Sequence, residues 1–329
     1  MASAGNGKPA LLLFRRVDPT FSAALHSRFR VLDLYASCGS LDAFIASAAA
    51  DADPLRAALV AAGGPVRVDA AFLDAVPSLR CVVTTSAGVD HIDLAECERR
   101  GVAVAGAGKT FSVDVADHAV GLLIDVLRRV SAADRYVRRG LWTAQGGYPI
   151  ASSKVGGKRV GIIGLGSIGS LIARRLEAMG CVISYHSRTP KPSVPYRYFP
   201  DARALAACSD ALVVACALND ATRHVVSRAV LDALGPRGVV VNVARGGNVD
   251  EQELVAALRE GRIAGAGLDV FQNEPHVPQE LMAMDNVVLT AHLAVFTEES
   301  IADLRDLMID NLEAFFHGNP LVTPVRLQV

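Results

Sequence analysis

The stretch KRVGIIGLGSIGSLIARRLEAMG, residues 158–180, decides the fold. It opens with an apolar, β-rich run at 160–163 and continues with apolar residues at helical spacing. Gly164, Gly166 and Gly169 lie between these two patterns in the spacing G-x-G-x-x-G. That spacing alone is a weak signal, but between a strand and a helix it is typical of a dinucleotide-binding βαβ unit.

The glycines of such a loop have different tasks. The first permits a tight turn, the second lets the backbone approach a pyrophosphate, and the third allows the helix to pack closely on the strand. The amino end of the helix then directs free N–H groups and the positive end of its dipole at the phosphates. The sequence therefore predicts a cofactor-binding loop made of Gly164, Leu165, Gly166, Ser167, Ile168 and Gly169.

The turn after the next strand indicates which dinucleotide binds. In NAD proteins an acidic residue about 20 positions beyond the first glycine holds the ribose. No Asp or Glu occurs between Ala178 and Pro200, and Ser187, Arg188 and Lys191 lie there instead. A guanidinium and a hydroxyl suit a 2′-phosphate, so we predict NADP, used as NADPH. The alternative is that Arg188 and Lys191 are ordinary solvated surface charges.

Short apolar runs alternate with helical patterns along most of the 329 residues, which indicates parallel α/β sheets and room for two domains. In the first third, ALLLF, RVLDLY, CVVTTS and VAVAG predict strands. Residues 40–62 and 91–101 are predicted to be helical. One long helix is predicted over 112–140, then a loop over 141–157, and an amphipathic helix over 300–320.

Composition excludes several classes of partner. Lys plus Arg number 33 against 34 Asp plus Glu, so no basic surface for nucleic acid or anionic membrane is expected. The apolar runs are shorter than the roughly 18 residues of a membrane helix. The six cysteines form no C-x-x-C pair, so neither a metal site nor a redox pair is predicted. We expect a cytoplasmic protein.

Polar side chains follow three later strand-like runs. Arg245 follows VVVNVA, Asp269 and Glu274 lie in GLDVFQNEP, and His292 follows VVLTA. The carboxyl ends of parallel strands meet at one edge of a sheet, where ligands bind. Each residue has a structural alternative: a satisfied histidine, a turn glutamate, a solvated arginine. Their occurrence at successive strand ends favours a catalytic site.

This set suits the reduction of a 2-keto acid. Hydride transfer to a carbonyl leaves negative charge on oxygen, and His292 can supply the proton near neutral pH. Glu274 can orient that histidine and stabilise its imidazolium. Arg245 can bind the carboxylate with two hydrogen bonds and polarise the carbonyl.

At these residues the sequence resembles the D-2-hydroxyacid dehydrogenase family, specifically its plant glyoxylate/hydroxypyruvate and hydroxyphenylpyruvate reductases. The segments TTSAGVDHIDL, DVADHAVGLLIDVLRR, GKRVGIIGLGSIG, VNVARGGNVDEQELVAAL and GAGLDVFQNEP occur in the family's order. The resemblance covers nearly the whole chain. It implies that Arg245 and Glu274 are catalytic residues and that His292 is the proton donor.

The resemblance also implies binding residues. Asp269 would contact the nicotinamide carboxamide, Val243 and Ala244 would line the nicotinamide ribose, and the turn His-Ser-Arg-Thr, ending at Thr189, would select NADP. The substrate carboxylate would be held by Arg245 and by a loop of three residues. That loop consists of Ser86, Ala87 and Gly88.

The family implies a specific domain arrangement. A substrate domain of residues 1–109 and 297–329 would be interrupted by a Rossmann-like, NADP-binding domain of residues 110–296. Both would have a parallel sheet of Rossmann-like or flavodoxin-like type. A homodimer is expected through the helix after Ser112, which carries an apolar series. The members of that series are Val115, Ala119, Leu122, Leu123 and Val126.

The sequence therefore predicts an NADPH-dependent reductase that converts small 2-keto acids, glyoxylate and hydroxypyruvate, to D-2-hydroxy acids. A hydroxyphenylpyruvate reductase is the alternative. Val295 and Phe296 add bulk where many family members have small residues, so the sequence does not rank small against aromatic substrates. A third possibility is a dinucleotide-sensing interaction protein like the corepressors of this fold, which keep the same three catalytic residues.

Overall fold

The computed structural model describes residues 7–149 and 152–326. The ends of the predicted substrate domain and two residues of the predicted loop 141–157 lie outside the described residues. Internal contacts divide the chain into two compact units, Met1–Phe111 with Thr297–Val329, and Ser112–Phe296. The first segment of the first unit thus ends at Phe111, two residues beyond the predicted boundary at position 109.

The described residues form twelve strands. In chain order these are β1 (Ala10–Leu13), β2 (Arg30–Asp33), β3 (Ala57–Val60), β4 (Cys81–Thr84), β5 (Ala103–Ala105), β6 (Arg159–Ile163), β7 (Val182–His186), β8 (Arg197–Phe199), β9 (Ala211–Val214), β10 (Val239–Asn242), β11 (Gly265–Leu268) and β12 (Val287–Leu289).

Thirteen α-helices occur in the same residues. They are α1 (Pro19–Arg28), α2 (Leu41–Ala49), α3 (Ala70–Ala75), α4 (Leu94–Arg99), α5 (Ser112–Arg128), α6 (Val130–Arg138), α7 (Leu141–Gln145), α8 (Ser167–Ala178), α9 (Ala202–Ala207), α10 (Arg228–Leu234), α11 (Glu251–Arg259), α12 (Gln279–Met282) and α13 (Glu298–Phe316).

The first unit has a parallel sheet in the order β2-β1-β3-β4-β5. Strands β1, β3 and β4 are buried at every position, as expected for central strands covered on both faces. Helix α13 returns from the end of the chain to this unit, with Leu304, Met308 and Leu312 buried while Ile301 stays 39 % exposed. The amphipathic helix is therefore confirmed, with Ile301 off its buried face.

The prediction of helix over residues 40–62 is wrong in its second half. Helix α2 stops at Ala49, Pro54 follows, and Ala57–Val60 forms β3 between β1 and β4. The alanine-rich composition favours helix by propensity alone. Burial of this apolar run between two strands outweighs that preference, which local sequence cannot reveal.

The second unit has a seven-stranded parallel sheet in the order β12-β11-β10-β9-β6-β7-β8. From β6 the chain proceeds outward to β7 and β8, then returns to β9 and continues outward on the other side. The order of strands reverses between β6 and β9. In doubly wound sheets ligands bind at this switch point, beyond the carboxyl ends of the strands. Two parallel-sheet α/β units confirm the predicted fold class.

The long helix predicted over 112–140 is two helices. Arg129 has a left-handed backbone, with φ of 58°, between α5 and α6. The Asp125 carboxylate accepts the Ser131 N–H at 2.8 Å and also contacts its hydroxyl. This side-chain acceptor offers the backbone an alternative to continuing the helix. Helix α7 lies within the segment predicted as a loop.

The apolar series of α5 packs inside its own unit. Val115, Ala119, Leu122, Leu123 and Val126 are all buried within this chain. Helix α5 lies against β10, β11, β12 and α8. A Cβ at Gly267 of β11 would lie 3.1 Å from Leu122 Cβ, so the helix rests almost directly on the strand backbone. The series is therefore core, and it gives no support to a dimer through that face.

Candidate active site

The glycine loop has the geometry that a pyrophosphate requires. Gly164 has φ of +95°, and a Cβ there would lie 2.7 Å from Cys216. A Cβ at Gly169 would lie 2.0 Å from the Gly164 carbonyl oxygen, so the third glycine is required for packing. Gly166 is the N-cap of α8 and provides no side-chain hydrogen bond to it, and a Cβ there would meet no atom within 4 Å. Free N–H groups and open space therefore fit a bound dinucleotide.

The turn after β7 contacts this loop directly. Lys191 Nζ donates to the Leu165 carbonyl at 2.6 Å, and its backbone N–H donates to the Tyr185 hydroxyl at 2.7 Å. The Ser187 hydroxyl donates to the Thr189 carbonyl at 2.7 Å. Arg188 is exposed. The four residues assigned to NADP selection thus form one turn, tied by Lys191 to the glycine loop.

Arg245, Glu274 and His292 lie in loops that follow β10, β11 and β12, which are neighbours in the sheet. Backbone hydrogen bonds hold these loops together beyond the strands. Asp269 N–H donates to the Asn242 carbonyl at 3.0 Å, and His292 N–H donates to the Asp269 carbonyl at 2.8 Å. The residues that the sequence analysis placed at strand ends therefore share one edge.

Glu274 and His292 form a hydrogen-bonded pair. Glu274 Oε2 lies 2.8 Å from His292 Nδ1, and Oε1 accepts the Phe271 N–H at 3.0 Å. Burial alone would raise the pKa of Glu274, but the hydrogen bonds from His292 and Phe271 and the charges of His292 and Arg245 lower it below its ordinary value. The carboxylate stays ionised and holds the imidazole by Nδ1, and the side chain of His292 remains 39 % exposed.

Two buried asparagines hold the backbone of Arg245. Asn242 Nδ2 donates to the Arg245 carbonyl at 2.9 Å, and Asn248 Oδ1 accepts the Arg245 N–H at 3.1 Å. A Cβ at Gly246 would lie 1.9 Å from the carbonyl carbon of Phe271. The loop of Arg245 is therefore in direct backbone contact with Phe271. Phe271 in turn donates its N–H to Glu274, so it links the arginine loop to the glutamate.

Asp269 supports the histidine loop. Its carboxylate, 2 % exposed, accepts the Thr290 hydroxyl at 2.6 Å and the N–H groups of Leu293 and Ala294 at 2.9 and 3.2 Å. Burial opposes ionisation, but the hydrogen bonds, including one from His118, lower the pKa of Asp269. The carboxamide contact expected from the family stays a prediction. What the geometry adds is a clamp on the segment that carries His292.

His118 is a site residue that the sequence analysis did not single out. Its Nε2 lies 3.0 Å from Thr290 Oγ1 and 3.5 Å from Asp269 Oδ1. Three residues after Val115 and four before Leu122, it falls within the apolar stripe of α5. A histidine in an otherwise buried stripe was the signal available. It connects the core helix to the histidine loop.

The residues predicted to line the nicotinamide ribose and those predicted to bind the substrate carboxylate lie in different units. Val243 and Ala244 are buried between β10 and Arg245. In the first unit the Ser86 hydroxyl accepts the Ala62 N–H at 2.8 Å. Among the residues that the structure describes, the N–H groups of Ala87 and Gly88 donate to no protein acceptor. Two adjacent free donors can bind a carboxylate.

A cluster of metal-ligating side chains and a membrane-spanning helix are both absent from the described part of the chain. In residues 7–149 and 152–326 no three His, Cys, Asp or Glu side chains are grouped as metal ligands would be. Over the same residues, no helix has both the length and the apolarity of a membrane span.

Fold and site together define a class, a two-domain α/β oxidoreductase with a dinucleotide-binding domain. Residues 120–294 match the NAD-binding domain of D-isomer specific 2-hydroxyacid dehydrogenases. The chain is 51 % identical to a glyoxylate/hydroxypyruvate reductase of Arabidopsis thaliana over 97 % of this chain and 98 % of that protein. It is 49 % identical to a hydroxyphenylpyruvate reductase of Plectranthus scutellarioides, over 84 % of this chain and 87 % of that protein.

A solved structure extends the comparison to three dimensions. The NADPH-dependent glyoxylate/hydroxypyruvate reductase of Sinorhizobium meliloti, in complex with NADP and malonate, superposes with a TM-score of 0.87. It is 35 % identical, and the match covers 98 % of this chain and all of that one. The chain belongs to the D-isomer specific 2-hydroxyacid dehydrogenase family. The resemblance in the sequence motifs is thereby confirmed.

Asp269→Asn is expected to destabilise the protein by about 1–3 kcal/mol near neutral pH, because an amide cannot accept both loop N–H groups and the Thr290 hydroxyl. The lowered pKa means that the carboxylate stabilises the folded state above its unfolded pKa of about 3.9 and loses that effect as pH falls through the folded value. Denaturant unfolding should show parent and variant converging in acid. The exposed Asp220→Asn is the control, and a constant difference at all pH values would contradict the assignment.

Proposed function

We propose that the protein is an NADPH-dependent reductase of small 2-keto acids, glyoxylate and hydroxypyruvate, forming D-2-hydroxy acids. The observation that carries the proposal is the Glu274–His292 pair, hydrogen-bonded at 2.8 Å on the edge that also carries Arg245. The glycine loop of the same sheet fits a dinucleotide. The relatives from Arabidopsis thaliana and Sinorhizobium meliloti, both glyoxylate/hydroxypyruvate reductases, support the substrate class.

Each of the three side chains has a distinct part in this reduction. The glycine loop would hold NADPH, which would supply the hydride for the carbonyl carbon. Arg245 binds the substrate carboxylate and polarises the carbonyl. His292 gives the proton on Nε2 to the carbonyl oxygen, while Glu274 holds Nδ1 and stabilises the imidazolium. The neutral imidazole then takes a proton from solvent.

The roles of the two units follow the same proposal. The unit of residues 112–296 binds NADP, and the unit containing Ala87 and Gly88 binds the substrate carboxylate through their free N–H groups. Hydroxyphenylpyruvate is the alternative substrate, favoured by the Plectranthus scutellarioides relative, which is a hydroxyphenylpyruvate reductase. The cytoplasm remains the proposed compartment, since all six cysteines are free thiols.

Replacing either member of the pair tests the proton-donor role. His292→Ala should lower kcat about 10²–10⁴-fold, the usual contribution of a positioned general acid. Glu274→Gln should move the alkaline limb of the reduction profile to lower pH, because the carboxylate that favours the imidazolium is lost. The measurements are kcat against pH with glyoxylate, and the Kd for NADPH of each variant.

The NADPH affinity is the control for these variants, since neither side chain is assigned to cofactor binding. An alkaline limb that stays in place in Glu274→Gln, or a near-parental kcat in His292→Ala, would show that the proton comes from elsewhere. A parent protein that turns over none of the keto acids would instead favour the dinucleotide-sensing alternative.

Cofactor choice is tested at the turn after β7. Arg188→Ala should reduce kcat/KM with NADPH roughly 10- to 150-fold, since a hydrogen bond to a charged group contributes about 1.5–3 kcal/mol. Use of NADH should change little, because that cofactor lacks the 2′-phosphate. The exposed Arg203→Ala is a matched control with one charge removed elsewhere. Equal losses with both cofactors would exclude recognition of the 2′-phosphate by Arg188.

We keep the homodimer as a proposal, on a different surface from that of the sequence analysis. Val130, Val137 and Trp142, on α6 and α7, are 54 %, 51 % and 62 % exposed. Such apolar side chains on adjoining elements suit an interface between copies of the chain. Light scattering should give a dimer mass for the parent and a monomer mass for Trp142→Glu. A parent that is monomeric at micromolar concentration refutes the proposal.

A further inference from the structure

Arg15 is a partly buried arginine without an ion pair. It follows β1 at the carboxyl edge of the five-stranded sheet, and its Nε donates to the Arg16 carbonyl at 3.1 Å. Among the residues that the structure describes, no carboxylate lies within ion-pair distance of Arg15, and its terminal nitrogens donate to no protein acceptor. The adjacent Arg16, by contrast, is exposed and lies 4.5 Å above the ring of Tyr35.

The surroundings do not compensate the charge of Arg15. Burial lowers the pKa of this guanidinium, and the more distant Asp18 and Tyr35 oppose the change without cancelling it. Asp18 is engaged elsewhere, because its Oδ1 accepts the Phe21 N–H at 2.9 Å as the cap of α1. A partly desolvated cation with unused donors is costly unless a ligand supplies acceptors.

The register of the sheet places Arg15 near the loop of Ala87 and Gly88. Leu13 pairs with Leu59, and Leu59 pairs with Val83, so Arg15 and Thr85 lie level on either side of β3. Two strand spacings separate their Cα atoms by roughly 10 Å. An extended arginine side chain spans roughly 7 Å from Cα to the guanidinium. The guanidinium can therefore reach a group a few ångströms away from a carboxylate held by that loop.

We propose that Arg15 determines substrate specificity by donating hydrogen bonds to an oxygen on C3 of the 2-keto acid. The substrate class is then a 3-oxygenated 2-keto acid such as hydroxypyruvate, rather than glyoxylate, which has no C3. This inference rests on the proposed function. The planar guanidinium offers two terminal donors to one acceptor group, and its partial burial strengthens each bond.

Two substrates that differ only beyond the keto acid group test this inference. Arg15→Met should lower kcat/KM for hydroxypyruvate roughly 10- to 100-fold, the effect of losing a hydrogen bond to a charged donor. The value for glyoxylate should change little. Arg15→Lys, which keeps the charge but not the paired donors, should give an intermediate loss and guards against misfolding of the methionine variant. Arg16→Met is the neighbouring control and should alter neither substrate.

Equal losses for both substrates, or no loss for hydroxypyruvate, overturn the inference. Binding of the hydroxy acids D-glycerate and glycolate, measured by calorimetry with the NADP-loaded protein, needs no turnover and separates it from the proposed function. If the parent reduces neither keto acid yet binds D-glycerate in an Arg15-dependent way, the specificity role stands while the reductase function fails. If D-glycerate binding is also independent of Arg15, the specificity role fails.

Discussion

One buried carboxylate organises the edge of the sheet on which the assigned catalytic residues lie. Asp269 accepts hydrogen bonds from the Thr290 hydroxyl and from the backbone of Leu293 and Ala294, on both sides of His292. His292 itself has φ of 50°, a region that side chains other than glycine rarely adopt. An unusual backbone conformation persists only where its surroundings over-determine it. The hydrogen bonds of Asp269 to the residues around His292 fix this backbone conformation. In that conformation the imidazole forms its hydrogen bond with Glu274.

The other assigned residues depend on the same kind of support. Arg245 is held by Asn242 and Asn248, two buried amides whose hydrogen bonds go to its backbone. Gly246 lets the arginine loop lie against Phe271. The two asparagines hold the main chain of the arginine loop by hydrogen bonds. Gly246, which has no side chain, allows that main chain to approach its neighbour. The placement of the partly exposed Arg245 and His292 thus rests on hydrogen bonds from the buried Asn242, Asn248 and Asp269.

The sequence was sufficient for features that depend on local spacing. The glycine loop, the strand before it and the polar residues after β10, β11 and β12 follow from patterns within a few residues. Features that depend on distant partners were missed. Residues 57–60 form a strand because β1 and β4 flank them. The end of α5 at Arg128 was also missed, although Asp125 accepts the Ser131 N–H from only six positions away. His118 meets Thr290 across 172 positions, a contact that no local pattern contains.

The hydrogen bond from Lys191 to the Leu165 carbonyl has a consequence for how cofactor preference can change. It joins the turn that would read the adenosine ribose to the loop that would hold the pyrophosphate, so the two are one mechanical unit. An acidic residue introduced at Ser187 or Arg188 would add a negative charge to the same turn as this ammonium group. The new carboxylate would attract Lys191 and compete with the Leu165 carbonyl for it. A switch of cofactor in this protein, by evolution or by design, is therefore a problem of two loops and not of one side chain.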